Sequence, residues 1–162
     1  MASALLSFPN PVNEKAARVV AGTVFVLAAI TLATGWEWLL VPLAYGFLAR
    51  TLTGPTLSPL GRIASSVVAP LLGPARLVPG PPKRFAQAIG ALLTTTAAVL
   101  ALGFGADTAA GVLLAAVLIA AGLEAAFALC IGCKLFALLM RIGIVPASVC
   151  LECADVTLRA RS

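Results

Sequence analysis

Two cysteine pairs near the C-terminal end are the residues best suited to chemistry at neutral pH. They are Cys130-Ile131-Gly132-Cys133 and Cys150-Leu151-Glu152-Cys153, and the chain contains no other cysteine and no histidine. The spacing C-x2-C-x16-C-x2-C is typical of a four-thiolate metal site. Each C-x-x-C pair is also typical of thiol-disulfide exchange, in which the thiolate is the reactive species. The pattern therefore predicts either a metal centre or a redox pair.

The two interpretations give these cysteines different roles. In the redox interpretation, Cys130 and Cys133 are the catalytic pair, and Cys150 and Cys153 form a resolving pair. A helix break near Gly132 would place Cys133 at a helix start, where the pKa of a thiol falls. In the metal interpretation, all four thiolates bind one zinc or iron ion, which fastens the C-terminal tail to the rest of the protein.

Three charged side chains near the first pair extend the predicted site. Glu124 lies within an apolar segment, and an acid in such a position suggests function. It precedes Cys130 by six residues, or about 9 Å along a helix. Arg18 and Arg50 are its expected partners, and Lys134 directly follows Cys133. Glu124 is predicted either to accept a proton from a thiol or to form a structural ion pair, and the three cations to tune the local charge.

The composition places these residues in a membrane protein. Hydrophobic residues make up 61% of the 162-residue chain and charged residues only 10%, and the mean hydropathy is +1.08. Soluble domains carry about a quarter charged residues, and a core of this size cannot bury so much apolar surface. Because lipid offers no hydrogen bonds to the backbone, the apolar segments are predicted to be helices. The predicted fold class is all-α.

The apolar segments predict four transmembrane helices and two interfacial helices in one membrane domain, residues 1–143. The first helix is expected to begin near Asn10 and Pro11, and the first interfacial helix at Ser58 and Pro59. Residues 144–162 are predicted to be a tail that carries the second cysteine pair. The predicted spans are about 16–35, 38–53, 85–104 and 108–130, and the interfacial helices are about 59–72 and 134–143.

The distribution of basic residues predicts the orientation. All eleven lie in the N-terminal region, the middle loop with its flanks, or the C-terminal part. The two short turns contain Trp36, Glu37, Trp38 and Asp107 and have no Lys or Arg. This positive-inside pattern predicts a multi-pass protein of the plasma membrane with both termini in the cytoplasm, in contact with anionic lipid. Nucleic-acid binding is not supported, because no basic helix is interleaved with aromatic residues.

Several of these segments resemble one bacterial membrane-protein family, called domain of unknown function 4395. The resemblance covers about residues 7–143 and does not reach the second cysteine pair. The similar segments are Phe8-Pro9-Asn10-Pro11-Val12-Asn13-Glu14 with Arg18, Arg50 with Ser58-Pro59, Pro82-Lys83-Arg84-Phe85-Ala86-Gln87, and Glu124 with Cys130-Ile131-Gly132-Cys133-Lys134.

The resemblance implies thiol or sulfur chemistry without naming an activity. Members of the family are often encoded near thioredoxin-like proteins and rhodanese-type sulfurtransferases, which are therefore the expected partners. The leading hypothesis is a membrane thiol-redox or sulfur-relay component of the bacterial inner membrane that acts at the cytoplasmic face. One alternative is a non-catalytic scaffold, or a subunit of a membrane complex, with a structural zinc or iron site. Another is a small transporter of a sulfur compound, acting as an oligomer.

Overall fold

A computed structural model describes residues 8–154, and this part of the chain is mostly helical. The all-α fold class is therefore confirmed, with one two-residue strand pair that the sequence did not predict. The helices are α1 Glu14–Thr34, α2 Leu40–Thr53, α3 Pro59–Ile63, α4 Gly80–Ala98, α5 Asp107–Phe127, α6 Ile131–Arg141 and α7 Leu151–Ala154. Helix α3 continues through a π-helical segment, Ala64–Val68, into Ala69–Leu71, and α4 continues into a second one, Val99–Gly103. The 3-10 turns are Glu37–Leu39 and Ala147–Val149.

Three helices are long and apolar enough to cross a membrane: Glu14–Thr34, Gly80–Gly103 and Asp107–Phe127. They correspond to the first, third and fourth predicted spans. The second predicted span, α2, has 14 residues, which gives about 21 Å against a hydrocarbon core of about 30 Å. The protein thus has the helices of a membrane protein, and whether α2 also crosses stays a prediction. Residues 155–162 of the predicted tail lie outside the described residues.

The start of α1 differs from the prediction, whereas the start of α3 agrees with it. Asn13, not Asn10, caps α1, and its side chain accepts a hydrogen bond from Lys15 N–H at 3.0 Å. Asn10 instead accepts one from Gly80 N–H at 2.8 Å, which fixes the N-terminal segment to the start of α4. Ser58 caps α3 by accepting from Gly61 N–H at 3.1 Å, and Pro59 is the first helical residue.

Small residues bring the long helices close together. Helix α1 packs on α5, α2 packs on α4, and α4 also contacts α5 and α6. A Cβ atom at Gly90 of α4 would lie 2.3 Å from the Phe47 ring of α2, so only glycine permits this approach. Leu40 and Leu114 are the largest fully buried apolar side chains. Alanines fill much of the remaining core: Ala16, Ala28, Ala91, Ala97, Ala110 and Ala121.

A short antiparallel strand pair joins the N-terminal segment to the middle loop. Strand β1, Val12–Asn13, pairs with β2, Leu77–Val78. The Glu14 N–H donates to the Arg76 carbonyl at 2.8 Å, and the Arg76 guanidinium forms an ion pair with the Glu14 carboxylate at 2.9 Å. These contacts hold the loop against the end of α1.

The break between α5 and α6 lies at Ala128, four residues before the predicted position at Gly132. Ala128 has φ of 56°, in the left-handed region, and α6 begins at Ile131. Gly132 has a packing role instead, because a Cβ atom there would lie 2.6 Å from the Ala86 Cα of α4. One turn further along α6, the Phe136 ring packs on Phe85 with centroids 5.6 Å apart.

Candidate functional site

The first cysteine pair lies at the start of α6. Cys130 is the N-cap residue, and its sulfur accepts a hydrogen bond from the Cys133 backbone N–H at 3.4 Å. Both cysteines are free thiols; Cys130 is buried and Cys133 is partly exposed. The N-terminus of a helix carries a partial positive charge and unpaired N–H groups, so it stabilises a thiolate at the cap position.

The hydrogen bond between the two thiols makes them unequal. Donation from the Cys133 thiol is the main cause that lowers the pKa of the Cys130 thiol, and the nearby Lys83 ammonium acts in the same direction. The same hydrogen bond, together with burial, raises the pKa of the Cys133 thiol. The sequence had placed Cys133 at the helix start. Because the break lies at Ala128, that position belongs to Cys130, which is the favoured thiolate.

Glu124 pairs with Lys83, so the predicted pairing with Arg18 or Arg50 is wrong. The Lys83 ammonium of α4 donates to the Glu124 carboxylate of α5. The side chains are only 10% and 14% exposed, respectively. The pair thus places two compensating charges beneath Cys130, in a largely buried position between two candidate membrane spans.

The two arginines that the sequence assigned to Glu124 bind other groups. Arg18 donates to the Ala125 carbonyl at 2.9 and 3.1 Å and to the Ala126 carbonyl at 3.2 Å, which satisfies carbonyls at the C-terminus of α5. Arg50 is buried. It donates to Gln87 Oε1 at 2.9 Å and to Ser58 Oγ at 3.3 Å. Arg18 supports the helix that carries Glu124, and Arg50 orients Gln87.

Two cavities meet at Cys130. The larger, of about 890 Å³, is the polar cavity; its lining includes Cys130, Cys133, Lys83, Lys134 and the disulfide-bonded Cys153. The smaller, of about 300 Å³, is the apolar cavity and lies among α1, α2, α4, α5 and α6, with Cys130 in its lining. Cys130 therefore borders both a polar and an apolar space. Lys134 also lines the polar cavity, and its role in tuning charge stays a prediction.

The second cysteine pair forms a disulfide between Cys150 and Cys153. Within residues 8–154, no group of three or more Cys, Asp or Glu side chains is placed to hold a metal ion. The chain in this form has a dithiol and a disulfide beside one cavity, which is an arrangement suited to thiol-disulfide exchange.

Two residues of the site were missed in the sequence analysis. Lys83 and Gln87 are four apart on α4, so they lie on the same face of the helix. Both belong to a segment that carried the family resemblance, and their spacing was the available signal. The sequence analysis named Lys83 only as part of that segment and gave it no role at the site.

The fold and the site together define an α-helical membrane protein with a thiol pair at a helix start and a buried ion pair beneath it. The model of the family described as Domain of unknown function (DUF4395) matches residues 12–141. The chain belongs to this family, as the resemblance predicted, and the match ends before the second cysteine pair. No curated protein and no solved structure gave a significant match.

Proposed function

We propose that this protein is a thiol-disulfide exchange component of the bacterial inner membrane that acts through Cys130 and Cys133 at the cytoplasmic face. One observation carries the proposal: the sulfur of Cys130 is the N-cap of α6 and accepts the Cys133 N–H at 3.4 Å. The cap position and the neighbouring thiol both favour a thiolate on Cys130, and the thiolate is the form that attacks a disulfide.

The proposal includes a four-span topology with cytoplasmic termini. The short helix α2 is preceded by the turn Glu37–Leu39, and together they extend about 25 Å. Val41, Tyr45, Leu48 and Leu52 of α2 are exposed, as expected for a helix that faces lipid. The positions of the basic residues in the sequence support the orientation. Helices α3 and α6 would then lie at the cytoplasmic interface.

The exchange proceeds in two steps that conserve atoms and electrons. The Cys130 thiolate attacks one sulfur of a partner disulfide, forms a mixed disulfide and releases the other partner sulfur as a thiolate. The Cys133 thiol transfers its proton to that thiolate and attacks the Cys130 sulfur, which releases the second partner sulfur. The partner is left with one thiol and one thiolate, the thiolate takes up a proton from water to complete the dithiol, and Cys130 and Cys133 become a disulfide. Because each step is reversible, the potentials of the two couples set the direction.

The second pair supplies an internal partner for this chemistry. Cys153, in its disulfide with Cys150, lines the same polar cavity as Cys130 and Cys133. On the proposed topology this disulfide faces the cytosol, where thiols are kept reduced and disulfides are usually transient or catalytic. We therefore assign Cys150 and Cys153 as a second redox pair that exchanges with the first, and a thioredoxin-like protein as the external partner.

Stoichiometry of the reaction with 5,5′-dithiobis(2-nitrobenzoate) tests the assignment. The Cys150→Ser/Cys153→Ser chain, reduced and in detergent, should release two thionitrobenzoate anions: one by attack of Cys130 and one by resolution. Adding Cys133→Ser should leave one anion released and a stable mixed disulfide. Adding Cys130→Ser instead should slow the release, because Cys133 is not the cap residue of α6 and burial still raises the pKa of its thiol after the hydrogen bond to Cys130 is lost. Equal rates for these two single-thiol variants would refute the assignment of Cys130 as the nucleophile.

A further inference from the structure

The apolar cavity lies among α1, α2, α4, α5 and α6 and is bordered at one end by Cys130. It holds about 300 Å³ and extends from Ala116 to Glu124 along α5, which corresponds to about 12 Å. This is the lower limit of the volumes found for small-molecule sites, which are largely apolar with a few polar groups. Its walls are mostly aliphatic side chains, among them Val20, Val24, Leu93, Val117, Ala120 and Leu135.

Two polar side chains line this cavity and define what it can recognise. Gln87 Oε1 accepts from the Arg50 guanidinium at 2.9 Å, which fixes the orientation of the amide. The Gln87 amide nitrogen makes no hydrogen bond to another described residue, so it is available as a donor to a carbonyl oxygen. Glu124, paired with Lys83, supplies a carboxylate near Cys130.

We propose that the apolar cavity binds the head group of a lipid-soluble quinone, which oxidises the Cys130–Cys133 dithiol. Such a ligand enters from the bilayer, is largely apolar, presents carbonyl oxygens to the Gln87 amide, and accepts the two electrons that disulfide formation releases. A site among candidate membrane spans, bordered by Cys130 of the dithiol and by an oriented amide donor, matches each of these requirements. The proposal rests on the proposed thiol-exchange function.

The redox step is balanced. The Cys130 and Cys133 thiols together lose two electrons and two protons and form one S–S bond. The quinone gains the same two electrons and two protons and becomes the hydroquinone. Since Cys130 also borders the polar cavity, electrons from a cytosolic dithiol pass through the Cys130–Cys133 couple to a carrier in the membrane. No further oxidant is needed.

A pair of neighbouring substitutions on α5 tests the site. Ala120 lines the apolar cavity, and Ala120→Phe fills part of it. Ile119 is 60% exposed and is not part of the lining, so Ile119→Phe adds the same ring on the outer surface. The probe is decylubiquinone, added to reduced protein in detergent, and the readout is hydroquinone formed together with thiols lost. Ala120→Phe should slow the reaction by about tenfold or more, equivalent to about 1.4 kcal/mol, and Ile119→Phe should leave it unchanged.

Two additional measurements separate the quinone site from the thiol function. Reaction with 5,5′-dithiobis(2-nitrobenzoate) should be the same in both variants, because that probe uses the polar cavity. Binding of decylubiquinone to Cys130→Ser, measured by equilibrium dialysis, should persist because it requires no electron transfer, and adding Ala120→Phe should abolish it. Absent binding, or equal quinone reduction by the two phenylalanine variants, would overturn the quinone site and leave the thiol function standing. Release of fewer than two thionitrobenzoate anions per chain, with quinone binding intact, would refute the thiol function and leave the quinone site standing.

Discussion

Removing either charge of the buried ion pair should destabilise the protein far more than removing both. Glu124→Leu leaves the Lys83 ammonium without its counter-charge in a position where its side chain is 10% exposed, and Lys83→Met leaves a carboxylate that is 14% exposed. Breaking a buried pair from one side typically costs about 3–5 kcal/mol. For a chain of this size, that corresponds to a fall in Tm of about 6–20 °C.

The double variant Lys83→Met/Glu124→Leu should recover most of this loss, because replacing a buried pair with apolar side chains is often neutral. The free energy of unfolding is measured for the wild-type chain, the two single variants and the double variant by titration with sodium dodecyl sulfate, followed by circular dichroism. The four values form a double-mutant cycle. We expect a coupling energy of about 6–10 kcal/mol, because two single losses of about 3–5 kcal/mol each disappear when the double variant is neutral. The control is the pair Arg76–Glu14, in which the arginine side chain is 74% exposed, and its coupling should not exceed about 1 kcal/mol. Additive effects of the two buried substitutions would refute the reasoning.

Three further predictions concern the dithiol and its support. Alkylation of Cys130 by iodoacetamide should accelerate as pH rises, with a midpoint below the ordinary thiol pKa of 9.0, because the pKa of Cys130 is lowered. Cys133→Ala removes the main cause of that lowering and should raise the midpoint. An unchanged midpoint would contradict the hydrogen bond between the two thiols. Gly132→Ala should lower the free energy of unfolding by about 1–3 kcal/mol, because the added Cβ atom would meet Ala86. In the control variant Gly103→Ala the added Cβ atom has no other atom within 4 Å, so the same titration should show no loss. Maleimide should label two thiols per chain before reduction and four after it; four at the outset would contradict the second-pair disulfide.

The helices were largely predictable from the sequence because apolar length alone identifies a segment that crosses lipid. Three of the four predicted spans meet that criterion in the structure. The Ser58-Pro59 helix start was equally accessible, since the cap and the following proline are local signals. The sequence did not predict which helices are neighbours. Helix α5 is apolar on nearly every face, so its periodicity specifies no contact surface.

The same limitation explains the errors at the site. Lys83 rather than Arg18 or Arg50 reaches Glu124, and this depends on how α4 and α5 align along their lengths, which no local pattern records. The break at Ala128 was missed because a left-handed alanine is locally unfavourable, and the glycine nearby was the better candidate. That glycine is needed for contact with α4, so the tertiary packing decided where the chain turns and which cysteine caps the helix.

The burial of Cys130 has a consequence for the shape of its partners. Cys130 is only 8% exposed and lines the polar cavity, so in the proposed exchange its thiolate could not meet a disulfide that lies flat in another protein's surface. A macromolecular partner of the kind we propose would have to insert a narrow projecting segment that carries its disulfide. Steric access, and not only the fraction of thiolate, would then determine which disulfides react, and the abundant exposed disulfides of unrelated proteins would be excluded by geometry.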